Sequence, residues 1–431
     1  MTDDFSVLGT APCFVRRLEE RNIKKAADIQ KKVIPRLAAG ESLFFSSATG
    51  TGKTFAYLLP LLGRLLDENA RTGGKNATWP RLLITAPTLE LCSQIKGELD
   101  FLLEQSSVSA NTENEQPSVS LRSCLLIGSV NLERQIEMLK KSKSDIIVGN
   151  PARLLVLAKM GKLRFGGLNC LVLDEADRLV SDELSGETRE LCEIIKRAVR
   201  DGSNLTIAAC SATMNEKNRE KLLSLVIFRD EKNANISRNI EYIESEGNEI
   251  LRERIEHWAI FSEKRRKLQT LRSLLAAIKT KKSRARALIF TSRGDEAEMV
   301  LSRLLYHHVN AAGLFAKSGK KPLAGTARKE ALDSFRRGDV DALVSTDLAA
   351  RGLDIQDITH VIAFDVPSDG EVYIHRCGRT GRAGKYGVMV TIGNETQMRL
   401  LASLEKKLKI RVLPKELYQG RICAPAQVED I

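Results

Sequence analysis

Along the chain, short, nearly continuous apolar runs alternate with longer stretches whose apolar positions recur every three or four residues. The short runs cover 42–45, 82–86, 121–127, 145–148, 168–173 and 206–210. Leu82-Leu83-Ile84 is the clearest: no polar residue interrupts it, so both faces of such a strand would be buried. That is the mark of a parallel sheet covered by helices. The stretches 55–66, 89–103 and 130–140 read as covering helices. Residues 5–39 read as a helical lead-in, with Phe14, Val15 and Leu18 on one segment and Gln30, Val33, Ile34 and Leu37 on the next. Residues 229–254 are polar and charged, without an apolar period. Beyond them the alternation restarts, with strands at 257–261, 287–291, 342–345, 361–364 and, last, 387–392, and a closing amphipathic helix at 397–410. The pattern predicts an α/β protein of two tandem domains of similar size, 1–232 and 253–418, with a linker over 233–252 and a tail, 419–431. Residues 104–120, rich in Ser, Asn, Glu and Gln, read as an exposed, mobile insertion.

Ligands of open α/β sheets bind beyond the carboxyl ends of the strands, so the residues there carry the candidate chemistry. The first run leads into Ser47-Ala48-Thr49-Gly50-Thr51-Gly52-Lys53-Thr54 and then into a helix. Strand, glycine-containing loop and helix together form the setting of a P-loop. Its backbone N–H groups would cradle phosphates, Lys53 would reach the β/γ-phosphates and the Thr54 hydroxyl would hold Mg²⁺. Ser47 stands where the strict pattern has Gly, and its small side chain lets the loop close. The alternative, a chance Gly/Thr-rich turn, is opposed by Lys53-Thr54 and by the flanking elements.

Asp174-Glu175 follows the run 168–173. Asp174 fits the acid that holds Mg²⁺, directly or through water, and Glu175 the residue that orients or activates an attacking water. Alone, the pair could equally be an acidic helix start; the upstream P-loop favours the chemical role. In the second domain, His375-Arg376-Cys377-Gly378-Arg379-Thr380-Gly381-Arg382-Ala383-Gly384 repeats Arg every third residue among glycines. A non-regular helix start or loop is expected, presenting guanidinium groups to phosphates as arginine fingers. By itself the stretch would read as a basic surface loop.

The net charge of +12 favours a polyanionic partner but does not separate RNA, DNA and membrane surface. Aromatic residues make up only 5%, which speaks against a stacking platform of the RRM type. Cys13, Cys92, Cys124, Cys170, Cys192, Cys210, Cys377 and Cys423 form no Cys-x-x-Cys pair and often sit in apolar runs. They read as free thiols in a reducing compartment rather than a metal site. The acidic start, Met1-Thr2-Asp3-Asp4, is unlike a signal or transit peptide, and no run is long enough to span a membrane. A cytoplasmic protein without membrane contact is expected.

The P-loop, Asp174-Glu175-Ala176-Asp177, Ser211-Ala212-Thr213 and the stretch 375–384 together resemble the DEAD-box RNA helicases, over residues 5–415. The resemblance implies two RecA-like domains, ATP and Mg²⁺ as cofactors and RNA as partner. Gln30, with Phe5 upstream, looks like the Q motif that recognises adenine. Ser47, Ala48, Thr49, Gly50, Thr51, Gly52, Lys53 and Thr54 would surround the phosphates, and Asp347 would contact the nucleotide in the closed state. Lys53, Asp174, Glu175, Arg379 and Arg382 form the implied catalytic set, with the two arginines facing the γ-phosphate; Thr54 and Asp174 hold the metal. Asp177, Ser211, Thr213 and His375 would couple the ATP state to RNA binding. Pro87, Thr88, Gly128, Pro151, Arg153, Arg293, Arg328, Thr346 and Arg351 are the implied RNA contacts.

This chain departs from the family pattern in four places. Leu89 replaces a usual Arg, Gly128-Ser129 replaces Gly-Gly, Asn150-Pro151-Ala152-Arg153 replaces Thr-Pro-Gly-Arg, and Gly325 replaces a Gln. All four lie at RNA-backbone positions, where each lost charged contact weakens binding and lowers its salt dependence. The expectation is an ATP-dependent RNA helicase that locally remodels RNA with little sequence preference. Ribosome assembly is a guess by resemblance; a monomer is the default, and a protein partner could supply targeting. The alternatives are a DNA-directed ATPase and an RNA clamp or RNP scaffold with weak unwinding. Stimulation by RNA over DNA separates the first; intact Lys53, Glu175 and Arg382 oppose the second.

Overall fold

The computed structural model describes residues 3–47, 51–72, 78–104, 121–181, 184–199, 205–212, 214–226, 240–244, 253–279, 285–315, 325–350, 355, 357–367, 369–381 and 385–425. They form two compact units. In the first, α1 (Pro12–Glu20) and α2 (Asp28–Ala38) precede β1 (Leu43–Ser46) and α3 (Lys53–Thr72). There follow β2 (Leu82–Thr85), α4 (Leu89–Leu103), β3 (Ser123–Leu126), α5 (Leu132–Ser142), β4 (Ile146–Gly149) and α6 (Pro151–Lys159). The unit continues with β5 (Cys170–Asp174), α7 (Ala176–Leu179), α8 (Ser185–Ala198), β6 (Thr206–Ser211), α9 (Glu216–Val226) and β7 (Glu241–Glu244). Its sheet has the order β3-β4-β2-β5-β6-β1-β7, with every pairing parallel.

The strands alternate sides as their uninterrupted apolar runs require. Leu43 and Phe45 of β1, with Leu82 and Ile84 of β2, join the cluster that also holds side chains of α1–α4. Phe44 and Leu83 join the opposite cluster, with Leu154, Leu191 and Leu222 of α6, α8 and α9. A one-residue slip would exchange the two sets, so register is fixed by burial on both faces.

The second unit repeats the plan. It runs β8 (Ile255–Phe261), α10 (Lys267–Ile278), β9 (Ala287–Thr291), α11 (Gly294–Tyr306), β10 (Ala311–Gly313), α12 (Gly325–Arg337) and β11 (Ala342–Thr346). Then come α13 (Asp347–Ala350), β12 (His360–Ala363), α14 (Gly370–Cys377), β13 (Gly387–Gly393), α15 (Glu395–Leu408), β14 (Val412–Tyr418) and β15 (Arg421–Cys423). The sheet order is β10-β11-β9-β12-β13-β8-β14-β15, parallel except for the final antiparallel hairpin. The expected fold class, two mostly parallel sheets each covered by helices, is what forms.

The differences lie at the sheet edges. Within the stretch read as a linker, β7 adds to the first sheet beside β1. Of its four side chains only Ile243 is buried, so no apolar period announced it. Its backbone pairing and a 2.6 Å hydrogen bond between the Tyr242 and Ser46 hydroxyls hold it. Similarly, β13 is not the last strand: β14 and β15 follow the helix expected to close the domain. The helix after the P-loop starts at Lys53 and runs to Thr72, longer than the expected 55–66. The insertion at 105–120 lies outside the described residues. No described helix is long and apolar enough to cross a membrane.

Candidate active site

In the first unit the carboxyl edge of the sheet collects the predicted residues, because every strand points the same way. The neighbours β5, β6 and β1 end in Asp174, Ser211 and Ser46. The neighbours β3, β4 and β2 lead into Gly128, Pro151 and Pro87. Nucleotide candidates occupy one half of the edge and RNA candidates the other. From β1 to β4 is four strand spacings, roughly 19 Å.

Ser47 closes the P-loop from its first residue. Its hydroxyl donates to Thr51 Oγ1 at 2.7 Å, and its carbonyl accepts from Lys53 Nζ at 2.5 Å. Its N–H donates to the Ser211 carbonyl at 3.2 Å, so the loop is tied directly to the Ser-Ala-Thr segment. A glycine at 47 would lose the hydroxyl contact. Ala48, Thr49 and Gly50 lie outside the described residues. Gly52 has φ +85°, in the left-handed region, and a Cβ there would lie 2.4 Å from Gln30 Nε2.

Gln30 is buried, and both ends of its amide are engaged. Oε1 accepts from Ala27 N–H at 2.8 Å, and Nε2 donates to the Gly52 carbonyl at 3.0 Å. The Q-motif candidate therefore braces the P-loop. Phe5, expected beside it, is 2% exposed and packs in the core cluster with Leu8, Phe14 and Ile29. It is placed as a core residue.

Asp174 ends β5, cross-paired with Cys210 on β6. Its Oδ1 accepts from Glu175 N–H at 2.8 Å and from the Cys210 thiol at 3.0 Å; its Oδ2 accepts from the Tyr57 hydroxyl at 2.9 Å. Tyr57 also hydrogen-bonds Thr54. Burial, reinforced by the Asp174 charge, pushes the Tyr57 hydroxyl and the Cys210 thiol well above their ordinary values. Glu175 adopts a left-handed backbone, φ 48°, rare for a residue with a Cβ. It turns the chain sharply between β5 and α7. Burial lowers the Lys53 ammonium, an effect opposed by Asp174, Glu175 and Asp177 nearby. Burial likewise raises Asp177, while its hydrogen bond to Ser211 works the other way. Asp177 and Ser211 are thus joined side chain to side chain; Thr213 lies outside the described residues.

On the other half of the edge, Thr88 caps α4, its hydroxyl accepting from Leu91 N–H at 3.2 Å. Pro151 opens α6. Arg153 Nη2 donates to the carbonyls of Gly128 and Val130, at 3.0 and 3.1 Å, which joins two predicted RNA positions, Arg153 and Gly128.

In the second unit, Arg376, buried at 1% exposure, pairs both ways with Asp347 at 2.7 Å and donates Nη1 to the Asp365 carbonyl, also at 2.7 Å. Asp347, His375, Arg376 and Arg379 line one small depression with Phe290. The described part of the stretch expected as a helix start or loop, 375–381, is the last turn of α14 and the turn after it, with Gly378 as C-cap. Thr346 Oγ1 accepts from Ala349 N–H at 3.3 Å at the head of α13. Arg293 precedes α11, exposed and paired with Asp295 at 2.9 Å. Asp365 accepts from Ser292 N–H at 3.2 Å and steadies that turn. Burial and Asp365 push the neighbouring Glu296 up to about 7. The Arg328 side chain and all of Arg351 and Arg382 lie outside the description.

Sequence reasoning missed Tyr57, Cys210 and Arg376. Tyr57 falls on an apolar helix face, three residues after Thr54, and reads as core. Arg376 was visible as one of three arginines, but nothing local tied it to Asp347, 29 residues away.

A half-buried lysine folded onto the Ser47 carbonyl, next to a strand-end acid held by three donors, defines a P-loop NTPase on a RecA-like scaffold. The comparisons refine that class. The DEAD/DEAH box helicase family matches residues 27–222, and the helicase conserved C-terminal domain matches residues 266–384. The DEAD-box ATP-dependent RNA helicase CshC of Bacillus cereus is 32% identical, over 95% of this chain and 92% of its own. The probable ATP-dependent RNA helicase YfmL of Bacillus subtilis is 30% identical, over 97% and 98%. Among solved structures, S. cerevisiae Dbp5 bound to RNA and ADP BeF3 matches with a TM-score of 0.75 at 22% identity, covering 96% of both chains. Mss116p bound to ssRNA and AMP-PNP matches with 0.77 at 22%, over 96% of this chain and 79% of that one. The chain belongs to the DEAD-box ATP-dependent RNA helicases.

Gly52→Ala should weaken ATP binding about ten-fold, since a left-handed backbone costs about 1–2 kcal/mol for a residue with a Cβ and the Gln30 amide must also give way. Calorimetric titration with a non-hydrolysable ATP analogue measures it; unchanged affinity would show that the loop relaxes freely.

Proposed function

We propose that this protein binds ATP with Mg²⁺ in the first unit and uses hydrolysis to remodel RNA held on the neighbouring half of the same sheet edge. The observation that carries the reading is the Ser47–Ser211 backbone bond together with the Asp177–Ser211 bond. Through them the phosphate loop and the acid-bearing turn share one anchor, so a change at the phosphates has a short route to the rest of the edge.

Thr54 and Asp174 would hold Mg²⁺. Hydroxyl and carboxylate are the hard oxygen donors that ion takes, and the buried phenol of Tyr57 gathers both. When bound, the ion supplies positive charge to the β- and γ-phosphate oxygens. Lys53 adds a cation on the protein side, and Glu175 orients the attacking water. The family pattern would give Arg379 and Arg382 the γ-phosphate role. Adenine recognition by Gln30 requires its amide to be shared with the P-loop. RNA contact would use Thr88, Gly128, Pro151 and Arg153, mainly through backbone phosphates and 2′-hydroxyls, with little sequence preference. A single soluble cytoplasmic chain that acts in ribosome assembly is the broader proposal.

A second reading, an RNA clamp with weak unwinding, draws on Arg153, whose guanidinium already braces Gly128 and Val130. Steady-state ATPase measured without nucleic acid, with single-stranded RNA and with single-stranded DNA tests the main proposal. Stimulation by RNA alone is expected. Turnover indifferent to RNA would overturn RNA-driven remodelling while leaving the nucleotide site standing.

A further inference from the structure

We infer that Tyr57 and Cys210 are positioning residues for the cation site, aligning its two protein oxygens before the metal arrives. The inference rests on the reading above that Thr54 and Asp174 face Mg²⁺. Its basis is a chain of hydrogen bonds that runs from half-buried Thr54 through the buried Tyr57, Asp174 and Cys210. Tyr57 and Cys210 are both 0% exposed, and Asp174 is 4% exposed. An ionised carboxylate only accepts, so Tyr57 must donate to Asp174 Oδ2 across the 2.9 Å contact. The phenolic oxygen then accepts from the Thr54 hydroxyl. That direction is forced, because Tyr57 has one proton and Asp174 takes it. With its proton committed to Tyr57, the Thr54 oxygen turns its lone pairs elsewhere and is left as an acceptor, the form that a cation needs.

On the other oxygen of Asp174 the Cys210 thiol and Glu175 N–H fill two more acceptor directions. A carboxylate offers about four. Three are taken by the protein, so one direction remains for the hydrated ion. Carboxylate rotation is blocked from both sides, by a phenol rooted in α3 and by a thiol rooted in β6. The acid is therefore poised for one contact geometry rather than bidentate or wandering coordination. This suits an ion that keeps an octahedral shell with several waters.

The test titrates Mg²⁺ against the full-length protein and a fluorescent, non-hydrolysable ATP analogue, reading the Mg²⁺ concentration at half-saturation. The analogue's affinity in EDTA is measured alongside. Tyr57→Phe should raise the half-saturating Mg²⁺ about ten-fold, as expected for losing a hydrogen bond to a charged group, and leave the affinity in EDTA unchanged. Cys210→Ala should raise it about three-fold, the lower value of a weak thiol donor, and Cys210→Ser should restore it. A merely structural role predicts equal losses with and without Mg²⁺, and that result overturns the assignment. So does an unaltered Mg²⁺ midpoint in Tyr57→Phe. Asp174→Asn separates the two layers of the argument. If its Mg²⁺ dependence matches the unsubstituted protein, the cation-site reading itself fails, whatever Tyr57 does.

Discussion

Lys53→Ala is expected to lower kcat/KM for ATP by about a thousand-fold or more, the scale of losing a preorganised group at developing charge. The structure explains why nothing replaces it. The Lys53 ammonium is folded back onto the Ser47 carbonyl, inside its own loop, with Asp174, Glu175 and Asp177 the charges that act on it. Burial makes the charged form costly, so an anion that supplies compensation is drawn to that position. Alanine removes the cation and leaves those acids opposed to incoming phosphates. Binding should fall together with turnover. Glu175→Gln gives the contrasting signature. The turn geometry and the Glu175 N–H contact to Asp174 Oδ1 survive, because both belong to the backbone. ATP binding should hold within about two-fold, while kcat falls by at least about a hundred-fold, the share of a positioned general base. Stopped-flow binding and single-turnover hydrolysis separate these outcomes. A Glu175→Gln protein that still turned over at the unsubstituted rate would remove this residue from the chemistry and revive the clamp reading.

The residues on which the first of these arguments rests were legible from sequence because they are local. Strand, loop and helix around Lys53 are contiguous, and short apolar runs such as 170–173, ended by polar residues, fit a strand buried on both faces. What was not legible depends on contacts between distant residues. Glu241-Tyr242-Ile243-Glu244 looks like linker because an edge strand needs only one inward side chain, here Ile243. The strand β14, between β8 and β15, carries Pro414 and charged Lys415 and Glu416, so no apolar run marks it. Phe5 shows the converse. An aromatic upstream of Gln30 suited the family motif; its burial in one cluster with Leu8, Phe14 and Ile29 was not marked by any local pattern. Ser47 looked like a tolerated departure from glycine; it proves to bind Thr51, Lys53 and Ser211 at once. The acceptor count at Asp174 needed Tyr57 and Cys210, two residues whose types and positions say only core.

Arg376→Ala should destabilise the second unit by about 3 kcal/mol, the lower end of the cost of removing one partner of a buried ion pair, because the Asp347 side chain keeps 24% exposure. In a unit of this size that lowers its unfolding midpoint by about 10 °C, read by differential scanning calorimetry of the full chain. The guanidinium is 1% exposed and fills three acceptors: both oxygens of Asp347 and the Asp365 carbonyl, all at 2.7 Å. It also lies 5.3 Å from the centre of the Phe290 ring. Alanine leaves Asp347 without its counter-charge, beside a void. Arg376→Lys should recover only part of the loss, since a single ammonium cannot reproduce the fork that engages both carboxylate oxygens. The larger consequence is functional. Asp347 opens α13 directly after Thr346, and Arg379 lies one turn beyond Arg376, so this pair fixes both the end of β11 and the end of α14. Replacing the pair together, Arg376→Met with Asp347→Leu, should be less destabilising than the sum of the single changes, because no charge is left buried alone. The midpoint would then recover while RNA-stimulated ATP turnover would not. Recovery of both would show that Asp347 contributes nothing beyond holding Arg376, and would return it to the list of purely structural residues.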